Sequence, residues 1–180
     1  MRTRLTVVLA AAVLALAGCG DKAEGAAALP PVQIVEQPAA SAGGACILWD
    51  YAFIEKNIGV RFSVAAADQS GDASTCVVQT DAGDYPDLTL SVVESTTADG
   101  KLFLQLMPKK AVKVPGLGKA GYRLDSPATA DHGPVVEIGW LSEAAQLQSL
   151  RFTFGKDASA VAVTSMNNRL LTLAKAMDTT

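Results

Sequence analysis

The chain of 180 residues is 49% hydrophobic and 18% charged, which excludes an intrinsically disordered protein and fits one domain with an appendage. Its 15 Lys and Arg stand against 18 Asp and Glu, a formal charge of −3. That balance lacks the basic excess needed to neutralise phosphates, so nucleic acid is not an expected partner. One histidine and three cysteines leave few side chains for metal or acid–base chemistry.

The first expected element is a signal. Arg2 and Arg4 form a positive end, and Leu5 to Ala17 is an apolar run broken only by Thr6. A spanning helix needs about 20 apolar residues, so this shorter run fits the apolar core of a secretory signal. Leu16-Ala17-Gly18-Cys19 follows and matches a bacterial lipobox. Its small residues fit an extended chain into the peptidase, and the Cys19 thiol accepts diacylglycerol. Residues 1–18 are thus expected to be removed and Cys19 to be lipidated. Loss of Arg2 and Arg4 leaves 13 basic residues against 18 acidic. No polybasic patch then holds an anionic membrane, and attachment falls to the lipid, two or more chains making it stable.

Residues 19–45 read as the lipidated cysteine and a tether. Gly20 to Ala45 is rich in Ala, Gly and Pro and shows no sustained period that would bury a face. As a flexible coil it spans about 28 Å.

Residues 46–180 read as a single α+β domain. Ile47, Tyr51, Ile54 and Ile58 share one helical face, and Gly59 is a suitable stop. Arg61 to Ala67 alternates with Phe62, Val64 and Ala66 on one side, and Asp68 to Ser74 is a polar turn. Thr75 to Thr80 and Asp87 to Glu94 are strands, the latter with Leu88, Leu90 and Val92 alternating. Lys101 to Met107 fits a short helix ending before Pro108, or a buried strand, with the helix preferred. Tyr122 to Leu124, Val135 to Leu141 and Leu147 to Phe154 are further strands. A last helix within Asp157 to Met177 presents Val163, Met166, Leu170, Leu173 and Met177 at helical spacing. Short connections favour an antiparallel sheet, with the N-terminal and C-terminal helices packed on it.

Cys46 and Cys76 are the cysteines left once Cys19 is lipidated, and an oxidising compartment pairs them. Their separation is unlike the Cys-x-x-Cys of redox-active pairs, so the bridge is read as structural.

The remaining motifs are weighed against ordinary structural roles. Gly116-Leu117-Gly118-Lys119-Ala120-Gly121 spells G-x-G-x-x-G, but a dinucleotide site needs that pattern between a strand and a helix. Here a strand follows, so a turn is expected and no cofactor. Asp81, Asp84 and Asp87 do not match the spacing of a calcium loop and read as an acidic hairpin loop. His132, beside Gly133-Pro134, reads as a solvated turn histidine with no second metal ligand at suitable spacing. No G-x-S-x-G elbow marks a hydrolase. Trp49 and Trp140 read as core.

The lipobox at Cys19, the Ala/Pro-rich tether, Cys46-Ile47-Leu48 opening a helix that ends near Gly59, Cys76 on a strand, and Val114-Pro115-Gly116-Leu117-Gly118-Lys119-Ala120-Gly121-Tyr122 together form a layout. That layout resembles the small lipoproteins of actinobacterial cell envelopes, some of them known only as domains of unknown function. The resemblance implies a surface-anchored α+β ectodomain, and brings no catalytic residues. Two classes of function follow. The first is a non-enzymatic envelope lipoprotein that binds a partner protein, a lipid or a small molecule. The alternative is an extracytoplasmic, hydrolase-like enzyme. The shortage of acid–base and metal residues favours the first.

Overall fold

The computed structural model describes residues 36–94 and 97–178. The expected signal, Cys19 and residues 20–35 of the expected tether lie outside them. The stretch read as the end of the tether belongs to the folded body. Ala39–Ala42 and Gly44–Leu48 form two short 3-10 turns, and Ala39 and Ala45 are buried in the core. Small residues there let the chain approach the sheet closely.

Helix α1, Tyr51–Ile58, starts later than its apolar spacing suggests. The Asp50 carboxylate accepts the Phe53 backbone N–H at 3.0 Å and caps the helix, satisfying one of the orphan donors of its first turn. Ile47 therefore stays outside the helix, 68% exposed, while Ile54 and Ile58 are fully buried. Gly59 ends the helix in the left-handed region, φ 73°, where a residue without Cβ is favoured. The Arg169 guanidinium donates to the Ile58 carbonyl at 2.9 Å and so ties this end to the last helix.

The strands are β1 (Val64–Ser70), β2 (Ala73–Gln79), β3 (Asp87–Glu94), β4 (Val112–Val114), β5 (Ala120–Ser126), β6 (Val135–Leu141) and β7 (Gln146–Thr153). They form one sheet in the order β1-β2-β3-β7-β6-β5-β4, antiparallel throughout. The α+β class with an antiparallel sheet is therefore as read from the sequence. Two meanders meet at the centre, where β3 pairs with β7 from Asp87↔Thr153 to Glu94↔Gln146. Helix α2, Gly100–Leu106, joins them, capped by Asp99, whose carboxylate accepts the Leu102 N–H at 2.7 Å.

Three details here differ from the sequence reading. The turn expected over Asp68 to Ser74 is confined to Gly71 and Asp72, because β1 runs on to Ser70 and β2 starts at Ala73. Strand β1 begins at Val64, and its pairing puts Ala65 opposite Val78, on the buried side. Val64 and Ala66 point the other way, and Val64 is 49% exposed. Strand β4 was not expected at all.

Helix α3, Ala160–Asp178, lies over β6 and β7, and α1 packs beside it. Met166, Leu170 and Leu173 are buried, with Val163 and Met177 packed at the margin, as the helical spacing predicts. Across the covered side of the sheet, Cys76, Leu90, Leu150 and Ile138 stand in one register row, all fully buried. Burying each large apolar side chain contributes about 1.5–3 kcal/mol. Trp140 is fully buried and Trp49 is 2% exposed. The Cys46–Cys76 disulfide is formed, with Cα atoms 4.9 Å apart. It pins the turn before α1 to the second strand.

Candidate functional site

The side chains opposite the covered layer form a second face. Because successive strand residues alternate between faces, the pairing register arranges this face in rows across the sheet. The first row is Ala73, Val93, Leu147, Leu141 and Ala120. The second is Thr75, Ser91, Ser149, Gly139 and Tyr122. Next come Val77, Thr89, Arg151, Glu137 and Leu124, and then Gln79, Asp87, Thr153, Val135 and Ser126. Along the strands the central columns thus pass from apolar, through small hydroxyls, to charged groups.

Helix α2 overhangs the apolar end. None of its residues is buried, but Phe103 stacks on Tyr122 with ring centroids 5.7 Å apart and planes 27° from parallel. Beneath it is a cavity of about 460 Å3 lined by Val93, Leu102, Phe103, Leu106, Met107, Tyr122 and Leu147, among others. At the polar end a cavity of about 390 Å3 is lined by Tyr85, Asp87, Thr89, His132, Glu137, Arg151 and Thr153. Ser91 and Ser149 line both. The two cavities are therefore the halves of one groove.

Tyr122 bridges the halves. Its hydroxyl donates to Glu137 Oε1 at 2.7 Å. The ring lies across the backbone of β6 at Gly139, where a Cβ would fall on the Tyr122 ring itself. Gly139 is the close-approach position that lets the ring lie there. Burial, and then the hydrogen bond and charge of Glu137, push the Tyr122 phenol up, so it is a donor at neutral pH.

Asp87 opens β3, and its carboxyl is half-buried. Burial raises its pKa, while hydrogen bonds from Thr153 and Thr89 and the charges of Arg151 and His132 act to lower it. The acidic triplet is thus divided: Asp81 and Asp84 are exposed, whereas Asp87 belongs to the groove. His132 sits in the turn its neighbours suggest, half-exposed, with its carbonyl accepting the Thr129 N–H at 2.9 Å. It lines the polar cavity, 6.0 Å from the Tyr85 ring between centroids. Its Nδ1 lies 2.6 Å from the Gly133 carbonyl. A carbonyl only accepts, so Nδ1 is the donor and Nε2 of a neutral ring is an acceptor.

Ser91, Ser149, His132 and Asp87 are residue types of a nucleophile–base–acid set. Such a set needs the carboxylate on the histidine and the histidine on the serine. Here Nδ1 is engaged by the Gly133 carbonyl instead. Among the described residues, no group of three or more His, Cys, Asp or Glu is arranged to hold a metal ion. Gly116 and Gly118 have positive φ in the turn from β4 into β5, not in a passage from strand to helix. The Gly118 N–H donates to an Asp178 carboxylate oxygen at 2.8 Å. That amide is therefore used inside the fold rather than offered to a phosphate.

Fold and groove together define an α+β domain whose sheet is covered by helices on one face and bears an amphipathic groove on the other. Comparison with protein-family models, curated proteins and solved structures finds no match to this chain.

Proposed function

We propose that this protein is a lipid-anchored, extracytoplasmic binding lipoprotein of the cell envelope, and that its ligand occupies the open face of the sheet. The groove carries this reading. It is concave, apolar at one end and set with a few converging polar groups at the other, the usual composition of a small-molecule site. The His132 Nδ1 meets a backbone carbonyl and not the Asp87 carboxylate, a departure from the carboxylate–histidine–serine set of hydrolases. The Leu16-Ala17-Gly18-Cys19 box supports attachment through diacylglycerol on Cys19, and the Cys46–Cys76 bridge suits an oxidising compartment.

Attachment is tested by fractionation. The native chain should pellet with membranes and carry lipid on Cys19, and Cys19→Ser should shed it or leave it unprocessed. An unmodified Cys19 on native protein would refute the anchor. The groove is tested with N-phenyl-1-naphthylamine, an uncharged fluorophore that brightens in apolar surroundings, added to the full chain bearing Cys19→Ser. One site per chain is expected. It should be lost in Leu147→Asp and Phe103→Ala and kept in Val161→Ser, which alters an exposed apolar residue of α3. No binding, or loss only in Val161→Ser, would sink the groove reading. Turnover of a simple ester by the native chain, lost in His132→Ala, would favour the enzyme instead.

A further inference from the structure

This inference rests on the open face being the binding face, and names what it takes. We infer that the ligand is a single-chain amphiphile with an uncharged, hydroxyl-rich head, bound with its chain beneath α2 and its head at the Arg151 end.

The order of chemistry along the strands sets that orientation. A chain that runs from Leu147 towards Thr153 along β7 passes Leu147, Ser149, Arg151 and Thr153 in turn on this face. A wholly apolar ligand would make no hydrogen bond in the far half of the groove and would take its polar side chains out of water without return. A wholly polar ligand would leave the space under Phe103 and Leu106 unfilled by apolar atoms. One ligand with both characters fills both halves through the shared walls of Ser91 and Ser149.

The charges select the head. Arg151 stands opposite Glu137 on β6 and opposite Thr89 on β3, with Asp87 in the adjoining row. Two carboxylates against one guanidinium repel a phosphate or sulfate head, whose sites cluster arginines and lysines. A quaternary ammonium has no donors and no acceptors. It would make no hydrogen bond to the hydroxyls of Thr89, Ser91 and Ser149 and would bring a second positive charge to the Arg151 end. A polyol both donates and accepts. It can give protons to Asp87 and Glu137 and take them from Arg151, in the arrangement these side chains offer.

The test is displacement of N-phenyl-1-naphthylamine from the full chain bearing Cys19→Ser, purified without detergent. Dodecyl maltoside, kept below its micelle threshold, should displace the fluorophore. Dodecyl sulfate and dodecyltrimethylammonium, with the same chain, should be weaker by about tenfold or more, and maltose alone should not compete. Each buried methylene strengthens binding about fourfold, so decyl maltoside, two methylenes shorter, should be weaker by about fifteenfold. Arg151→Gln should weaken the maltoside by about tenfold and leave the fluorophore in place. Either charged detergent competing as well as the maltoside would overturn the assignment of the head. Equal binding of decyl and dodecyl chains would overturn that of the tail, and an unchanged Arg151→Gln the orientation. Fluorophore binding that no maltoside displaces would refute this inference and leave the groove standing; no fluorophore binding would remove both. Co-sedimentation with phosphatidylcholine vesicles carrying a galactosyl diglyceride, without displacement by the monomer, would also overturn it in favour of a bilayer surface.

Discussion

The two faces of the sheet are built from the same strands and obey opposite rules. On β7, Leu150 and Phe152 sit in the helix-covered core, fully buried and 1% exposed. Their neighbours Ser149, Arg151 and Thr153 line the groove. Between Leu150 and Phe152 a single residue step passes from the close-packed apolar core to the exposed Arg151. The covered face therefore carries stability, and the open face is left free to carry recognition.

The strongest challenge to that division is Phe152→Ala. Its ring meets Phe154 edge-on at 4.7 Å between centroids, and truncating a buried Phe costs about 3–5 kcal/mol. Its neighbour Ser149→Ala should stay within about 0.5 kcal/mol. Urea unfolding of both reads the difference, and equal costs would abolish the distinction between the faces. Next is the Cys46→Ser/Cys76→Ser pair. The bridge closes a separation of 30 residues on the covered side, and loop entropy sets the expected loss at about 3–4 kcal/mol. Recovery of two free thiols from native protein, or an unchanged urea midpoint in the pair, would show that the bridge contributes nothing.

On the open side, Phe103→Ala should cost about 0.5–1.5 kcal/mol through loss of the Tyr122 stacking. The fluorophore site should vanish with it. A large fall in stability would mean that α2 belongs to the core after all.

The smallest effect concerns pH. Burial raises the Asp87 carboxyl, so the native state holds this proton more tightly than the unfolded chain. The favourable contribution is full below the unfolded pKa, about 3.9. It is lost as pH rises through the folded value, leaving a fixed cost at neutrality. Asp87→Asn should thus gain stability at pH 7 and lose that gain towards pH 3. A gain that grows in acid would contradict burial as the dominant cause.

How much of this was legible depended on contrast between neighbouring residues. The helical spacing from Val163 to Met177 and the alternation of Leu88, Leu90 and Val92 both survive, because large apolar residues recur at one period. In β1 the run Ala65-Ala66-Ala67 has no such contrast, and the side facing the core was misread. Strand β4 spans three residues, too few for a pattern. Ile47 misled because the Asp50 cap, a local hydrogen bond, outweighs apolar spacing in starting α1. The groove was hidden for a different reason. Asp87, Arg151 and Glu137 lie on three strands brought together only by the β3–β7 and β6–β7 registers. The polar alternate positions, Thr89 with Ser91 and Ser149 with Arg151, were the available signal, but they mark an outward face without saying that faces combine into a site. His132 and Asp87 sit next to Gly, Pro and other acidic residues, and that company reads as solvated loop.

The pairing of β3 with β7 also dictates when the molecule becomes whole. The central seam joins residues 87–94 to residues 146–153, and α3 follows β7 in the chain. A chain emerging from the ribosome cannot close the sheet until nearly all of it has appeared. Until then Leu88, Leu90 and Val92 lack their β7 partners Phe152, Leu150 and Gln148, and distant pairings of this kind slow folding and expose aggregation-prone edges. A fragment ending at Ser142 should remain unfolded by circular dichroism, and the whole chain should acquire its structure in one late, cooperative step.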